Sequence, residues 1–212
     1  LNDFSDFELR IWGNLSGPLG QKGSYKATTS IPVINNLGKL FVDISANPYF
    51  AGDALSLEAH YELNISPPAV IMNEAIISQR PLYSNDFSSI LHQKIGGELN
   101  FKRWLRLGLD FINLENPIYL NNNALPVQEN GNYSILQGVA GLNIHWGQLT
   151  LSPKLYYQNI PSFYHLPDWI TEVSMVYHFP LFKKSLEFYI GTDARYYNRF
   201  RPDQFIASTG LF

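Results

Sequence analysis

The 212 residues contain no cysteine, which removes disulfides, thiolate nucleophiles and Cys-based metal centres from consideration. Charge is also scarce: Asp, Glu, Lys and Arg make up 16% of the chain, against ~25% in an average soluble domain. The net charge is −3 and the basic residues are scattered, so the footprint of a nucleic-acid binder is missing and no nucleic-acid partner is expected. No apolar run reaches the ~18 residues of a helical membrane span, which leaves strands as the only means of crossing a bilayer. A nucleophile elbow, a phosphate loop, a dinucleotide fingerprint and metal-binding histidines at helical spacing are all absent as motifs. The chain reads as non-enzymatic, with no cofactor and no metal. It starts at Leu1, already entering an alternating run, and reads as a processed chain or a fragment.

Aromatic residues are abundant at 15%, including 13 Tyr and 14 Phe, and alternation of apolar with polar residues runs through most of the sequence. In Leu55–Ile65, Leu55, Leu57, Ala59, Tyr61, Leu63 and Ile65 oppose Ser56, Glu58, His60, Glu62 and Asn64. That period of two belongs to a strand with two unlike faces. The stretch from Trp169 to Tyr197 holds two such runs joined by a short Pro- and Lys-bearing turn, an antiparallel hairpin. Further runs begin near Phe4, Ser24, Leu40, Gln93, Trp104, Tyr133, Gln148 and Phe205. Nearly all have the ~9–11 residues a tilted strand needs to span a membrane.

The expected fold is all-β, an antiparallel transmembrane β-barrel with about 11–12 visible strands, organised as one domain over residues 1–212. Short turns near Lys102, Gly147 and Phe182 contrast with long connections at Ser66–His92, Glu115–Asn132 and Asn159–Asp168. Short turns at one end and long loops at the other are the pattern of outer-membrane barrels.

Alternation alone does not say whether the apolar face points into a soluble cup or out into lipid. Rings at strand ends and uniform strand length favour lipid. The expected interface aromatics are Phe50, Trp146, Tyr157, Trp169, Tyr177, Phe179 and Tyr196. The opposite face is expected to line a lumen through Arg10, Glu58, His60, Glu62, Lys94, Glu98, Arg106, Asp110, Lys154, Glu172, Asp193 and Arg195. Asp110 with Arg106 and Asp193 with Arg195 read as opposed lumen charges that orient polar solutes, or, as the more ordinary reading, as solvated or cross-strand ion pairs. Glu58, His60 and Glu62 carry metal-ligand chemistry, but alternate residues of a strand stand nearly ~7 Å apart, too far for one ion.

Two loops stand out. Pro161–Trp169 holds rings suited to an interface belt or to stacking on a ligand. Ser66–His92 includes the apolar runs Ala69–Met72 and Ala75–Ile77, which suit a lumen constriction, a docking surface, or strands extended beyond the bilayer.

Tyr177–Phe205, YHFPLFKKSLEFYIGTDARYYNRFRPDQF, resembles the β-barrel porin family of Bacteroidetes outer membranes. The resemblance rests on the aromatic turn with Lys183–Lys184, the Leu-x-x-x-Ile-Gly-x-Asp-x-x-Tyr-Tyr strand and the loop to Gln204–Phe205. It implies a bacterial outer-membrane location, a partial barrel, and no catalytic residue. The expected function is passive passage of small hydrophilic solutes through a polar lumen. A non-conducting accessory subunit bound to other outer-membrane proteins and a soluble lipid-binding barrel are the alternatives. The lipid bilayer is the expected partner of the first two.

Overall fold

A chain whose alternating runs are rich in Tyr, Phe, Val, Ile and Thr has little choice but to pair them. Each strand has one face that must leave water, and extended backbone must satisfy its N–H and C=O groups on a neighbour. The computed structural model describes residues 9–20, 22–34, 39–50, 54–77, 80–102, 104–121, 123, 125–182 and 186–200. In chain order the strands are β1 (Leu9–Pro18), β2 (Gly23–Ile34), β3 (Leu40–Phe50) and β4 (Leu55–Ser66). A four-residue helix, α1 (Val70–Asn73), precedes β5 (Glu74–Ile77) and β6 (Arg80–Ser84). Then come β7 (Ile90–Phe101), β8 (Leu105–Glu115), β9 (Ile118–Leu120), β10 (Pro126–Gln128), β11 (Asn132–Leu142) and β12 (Ile144–Trp146). The last three are β13 (Leu149–Asn159), β14 (Trp169–Leu181) and β15 (Leu186–Tyr197).

Among the described residues, eleven of these form one antiparallel sheet in the order β1-β2-β3-β4-β7-β8-β11-β13-β14-β15, with β12 prolonging β11 beside β13. The fold is therefore all-β and antiparallel, as expected from the alternation. Every neighbour on the path follows the previous strand in sequence apart from the two small excursions β5–β6 and β9–β10. Among the described residues the outer edges of β1 and β15 are unpaired, so the wall is an open sheet, as part of a barrel would be. The expected strand at Phe205–Phe212 and the start of the first at Phe4 lie outside the described residues.

The short turns owe their tightness to left-handed residues. Lys102, Gly147 and Phe182 have φ of 51°, 61° and 49° at the three turns expected to be short. Only at Gly147 does the residue type remove the usual cost of that conformation. At the opposite end the connections are not plain loops. β5 pairs with β6 and β9 with β10, each as a separate two-stranded sheet. The apolar run in Ser66–His92 thus becomes α1 and β5 instead of prolonging β4 or β7. Tyr83 donates its hydroxyl to the Ile71 carbonyl and the Asn85 amide donates to Asn73 O at 2.7 Å, closing this unit on itself.

Candidate functional site

Register sorts the side chains of the whole sheet onto two faces. From β1 to β4, Asn14 lies opposite Thr28, Thr28 opposite Asp43, and Asp43 opposite Glu62. The row continues from Glu62 to Lys94 on β7. A second row runs from Asn100 through Arg106, Gly141, Lys154 and Glu172 to Arg195. Alternate residues point to opposite sides of a sheet. Arg10, Glu58, His60, Glu62, Lys94, Glu98, Arg106, Asp110, Lys154, Glu172, Asp193 and Arg195 therefore share one face. Lys26, Asp43, His92, Gln137 and Gln158 stand on that face too; sequence reasoning passed over them although they lie in phase with the others.

The opposite face is apolar and open. Ile11, Leu15, Ile31, Ile44, Ile95, Leu107, Leu109 and Ile190 are all exposed there. Rings border it. Toward the short turns stand Trp146, Tyr177, Phe179 and Phe188, with Tyr177–Phe179 and Phe179–Phe188 centroids 5.8 and 5.1 Å apart. Toward the loops, Tyr157 and Trp169 meet at 4.5 Å, with Tyr196 one register step inward. The backbone of Phe50 pairs in register with Leu55, and its side chain lies outside what the structure describes. Eight residues of β14 separate Tyr177 from Trp169, about 26 Å of strand at ~3.3 Å per residue. Tilted by ~40°, that gives a band of roughly 20 Å, close to the ~25 Å apolar belt of a transmembrane barrel.

On the polar face the charges pair across strands. Asp110 receives Lys94 Nζ at 2.9 Å, and His60 Nε2 also comes within 2.9 Å of it without the alignment of a hydrogen bond. Arg106 grips Glu98 through Nη2 at 2.6 Å and Nε at 2.8 Å, while Asn100 donates to the other oxygen of Glu98. Arg195 pairs with Glu172. Of the two readings of Arg106 and Arg195, the cross-strand ion pair is the one that forms: each arginine turns to a carboxylate on the adjacent strand, a choice that register makes and spacing along one strand cannot. These pairs are partly exposed, so they add little stability and act chiefly through their field. Among the described residues no group of three or more His, Cys, Asp or Glu side chains is placed to hold a metal ion.

Asp110 reaches its partners because Gly96, directly opposite on β7, has no side chain. A Cβ at Gly96 would collide with Asp110 Oδ1 and stand 2.7 Å from the Leu109 carbonyl oxygen. Gly96→Ala is expected to cost about 1–3 kcal/mol, as overpacking does. Denaturant titration of the folded protein in vesicles would measure it. The double variant Gly96→Ala/Asp110→Ala should recover part of the loss, because only the backbone clash then remains.

At the loop end the two faces exchange character. Ile112, Leu114 and Ile135 occupy the charged face and are buried, at 7%, 9% and 6% exposure. Gln93, Asn113 and Ser134 occupy the other, where Asn113 donates to Gln93 at 3.4 Å. The exchange falls at one level, since Phe111 opposes Leu136 while Ile112 opposes Ile135. Ile90, Ile160 and Tyr164 pack over the buried trio. Phe163 stacks on Tyr119 at 4.7 Å and meets Tyr133 edge-on at 5.0 Å and Tyr164 at 4.8 Å. Burial raises the Tyr164 hydroxyl above its ordinary pKa. Gln128 accepts from the Ser88 amide and donates to the carbonyls of Ser88 and Asn116, each at 2.9 Å. Three connections are thereby knitted into a cap standing on the charged face. Phe163 and Tyr164, read from sequence as belt or ligand-stacking rings, are its packing core.

A wall of antiparallel, membrane-length strands with an aromatic-bordered apolar face and a charged reverse is that of a porin-like outer-membrane β-barrel protein. The chain belongs to the family described as "Putative porin", whose sequence profile matches residues 1–212. A porin family is one of transport or structural proteins in the context of the outer-membrane bilayer. Comparison with curated proteins and with solved structures finds no match.

Proposed function

We propose that the chain is a single-domain wall of an outer-membrane pore, passing small hydrophilic solutes without chemistry, in a bacterium of the Bacteroidetes. The observation that carries this reading is a polar face that runs from Asn14 on β1 to Lys94 on β7 and from Asn100 on β7 to Arg195 on β15, backed below the cap by an apolar face. A lumen bounded by that face is wet, and the twelve charged residues act on solutes by field and width. The cap over Ile112, Leu114 and Ile135 narrows the mouth.

The test is conductance of the purified protein in planar bilayers. Stepwise, ohmic currents in potassium chloride are expected. A folded protein that inserts yet stays silent at every voltage would sink the pore reading. The knitting of three loops by Gln128 and Phe163 supports a second reading in that event, a closed accessory barrel that serves other outer-membrane proteins. Co-purification with partners at fixed stoichiometry would then be expected.

A further inference from the structure

Charges on the polar face are unevenly spread. Strands β3, β4 and β7 carry Asp43, Glu58, Glu62 and Glu98, with Lys94 as their one Lys or Arg on that face. From β8 to β15 the face is mixed, with Asp110, Glu172, Glu187 and Asp193 standing beside Arg106, Lys154 and Arg195, but the cations are concentrated at one level. Arg106, Lys154 and Arg195 occupy one register row, with Glu172 between the last two and Gly141 between the first two. A cleft of about 860 Å³ lies over this row, lined also by Lys102 from the short turn and by Asp193. Four cations against Glu172, Asp193 and the Glu98 that holds Arg106 leave one net positive charge here. Arg106 and Arg195 are held by Glu98 and Glu172, which fixes their guanidinium groups while leaving further N–H donors free. Lys154 has no ion-pair partner among the described residues, although it faces Glu172 in register, because Arg195 has taken that carboxylate. Gly141 contributes no side chain, so the floor between Arg106 and Lys154 is backbone.

We infer that this cleft is a subsite for a small oxyanion, a solute bearing a phosphate or carboxylate, with Lys154 as its central charge and Arg106 and Arg195 as flanking donors. Fixed forks beside a mobile ammonium suit the planar, multiply accepting edge of such groups. The carboxylates of β3, β4 and β7 repel the same solutes, so the attraction is local to the row of Arg106, Lys154 and Arg195. The inference rests on the polar face being wetted, as the pore reading requires.

The test is titration of inorganic phosphate into the whole chain folded in neutral, phosphorus-free detergent micelles, followed by broadening of the phosphate phosphorus resonance. The wild-type protein is expected to bind. Lys154→Ala should weaken binding about fourfold, the loss of one charge ~5 Å away in water, and Lys154→Arg should retain it. Lys26→Ala, on the same face but outside the cleft, should bind as the wild type does. No binding by the wild type, or equal binding by Lys154→Ala, overturns the subsite. An equal loss in Lys26→Ala also overturns it, since only net charge would then matter. Conductance of the same preparations separates the two readings: binding without current sinks the pore and leaves the subsite, and current without binding does the reverse.

Discussion

Arginine in place of Leu107 is expected to destabilise the protein in a bilayer by about 2–4 kcal/mol, the cost of a cation on the lipid face near the midplane. Leu107 is 43% exposed on the apolar face of β8. It sits between the Phe101–Trp104 ring pair at the turn end and Phe111 toward the loops. Its register partners are Leu99 and Ala140, so no polar neighbour awaits the guanidinium. Gln137→Arg is the control. Gln137 lies on the charged face directly opposite Asp110, where a new cation meets water and a carboxylate. Its cost should stay within about 0.5 kcal/mol, as for an ordinary surface change. Reversible denaturant unfolding from neutral-lipid vesicles measures both. Equal tolerance of the two variants would mean that the apolar face does not meet hydrocarbon, and would restore the soluble-cup alternative.

Much of this wall was legible in the sequence because strand alternation is a local signal. Leu55–Ile65 declares its two faces without help from any other strand, and β4 spans Leu55–Ser66. The turn at Gly147 was equally local, a glycine between two apolar runs. What alternation could not supply was pairing. Asp110 finds Lys94 on the adjacent strand and His60 one strand beyond, and Arg195 finds Glu172 across β14, because of registers fixed by the whole sheet. The cap was less legible still, since its contacts join distant segments: Gln128 reaches Ser88 and Phe163 reaches Tyr119. One signal for it was present. Apolar neighbours at Phe111–Ile112 and Ile135–Leu136 break the alternation on two strands, and beyond them Asn113 and Glu115 fall in phase with Leu109. A phase slip repeated on paired strands marks the level where a wall leaves lipid and its inner face begins to pack against protein.

In the pore reading that inner packing narrows the mouth, so Phe163→Ala is expected to open it. The ring joins Tyr119 of β9, Tyr133 of β11 and Tyr164 of the same loop, so its removal loosens all three at once. A fully buried Phe→Ala change costs ~3–5 kcal/mol; for the half-buried Phe163 about 2–3 kcal/mol is expected. The loss should fall on the cap alone, because the strands below are held by their own ladder and unfold as a separate unit. Amide hydrogen exchange should therefore quicken in residues 116–131 and 160–168 while β4, β7 and β8 stay protected. Unit conductance should at least roughly double, since the narrowest segment dominates the resistance of a pore. An unchanged conductance with a loosened cap would place the cap clear of the conduction path. A silent wild type with a conducting Phe163→Ala variant would instead make the cap a plug, and the three knitted loops the device by which the barrel is kept shut.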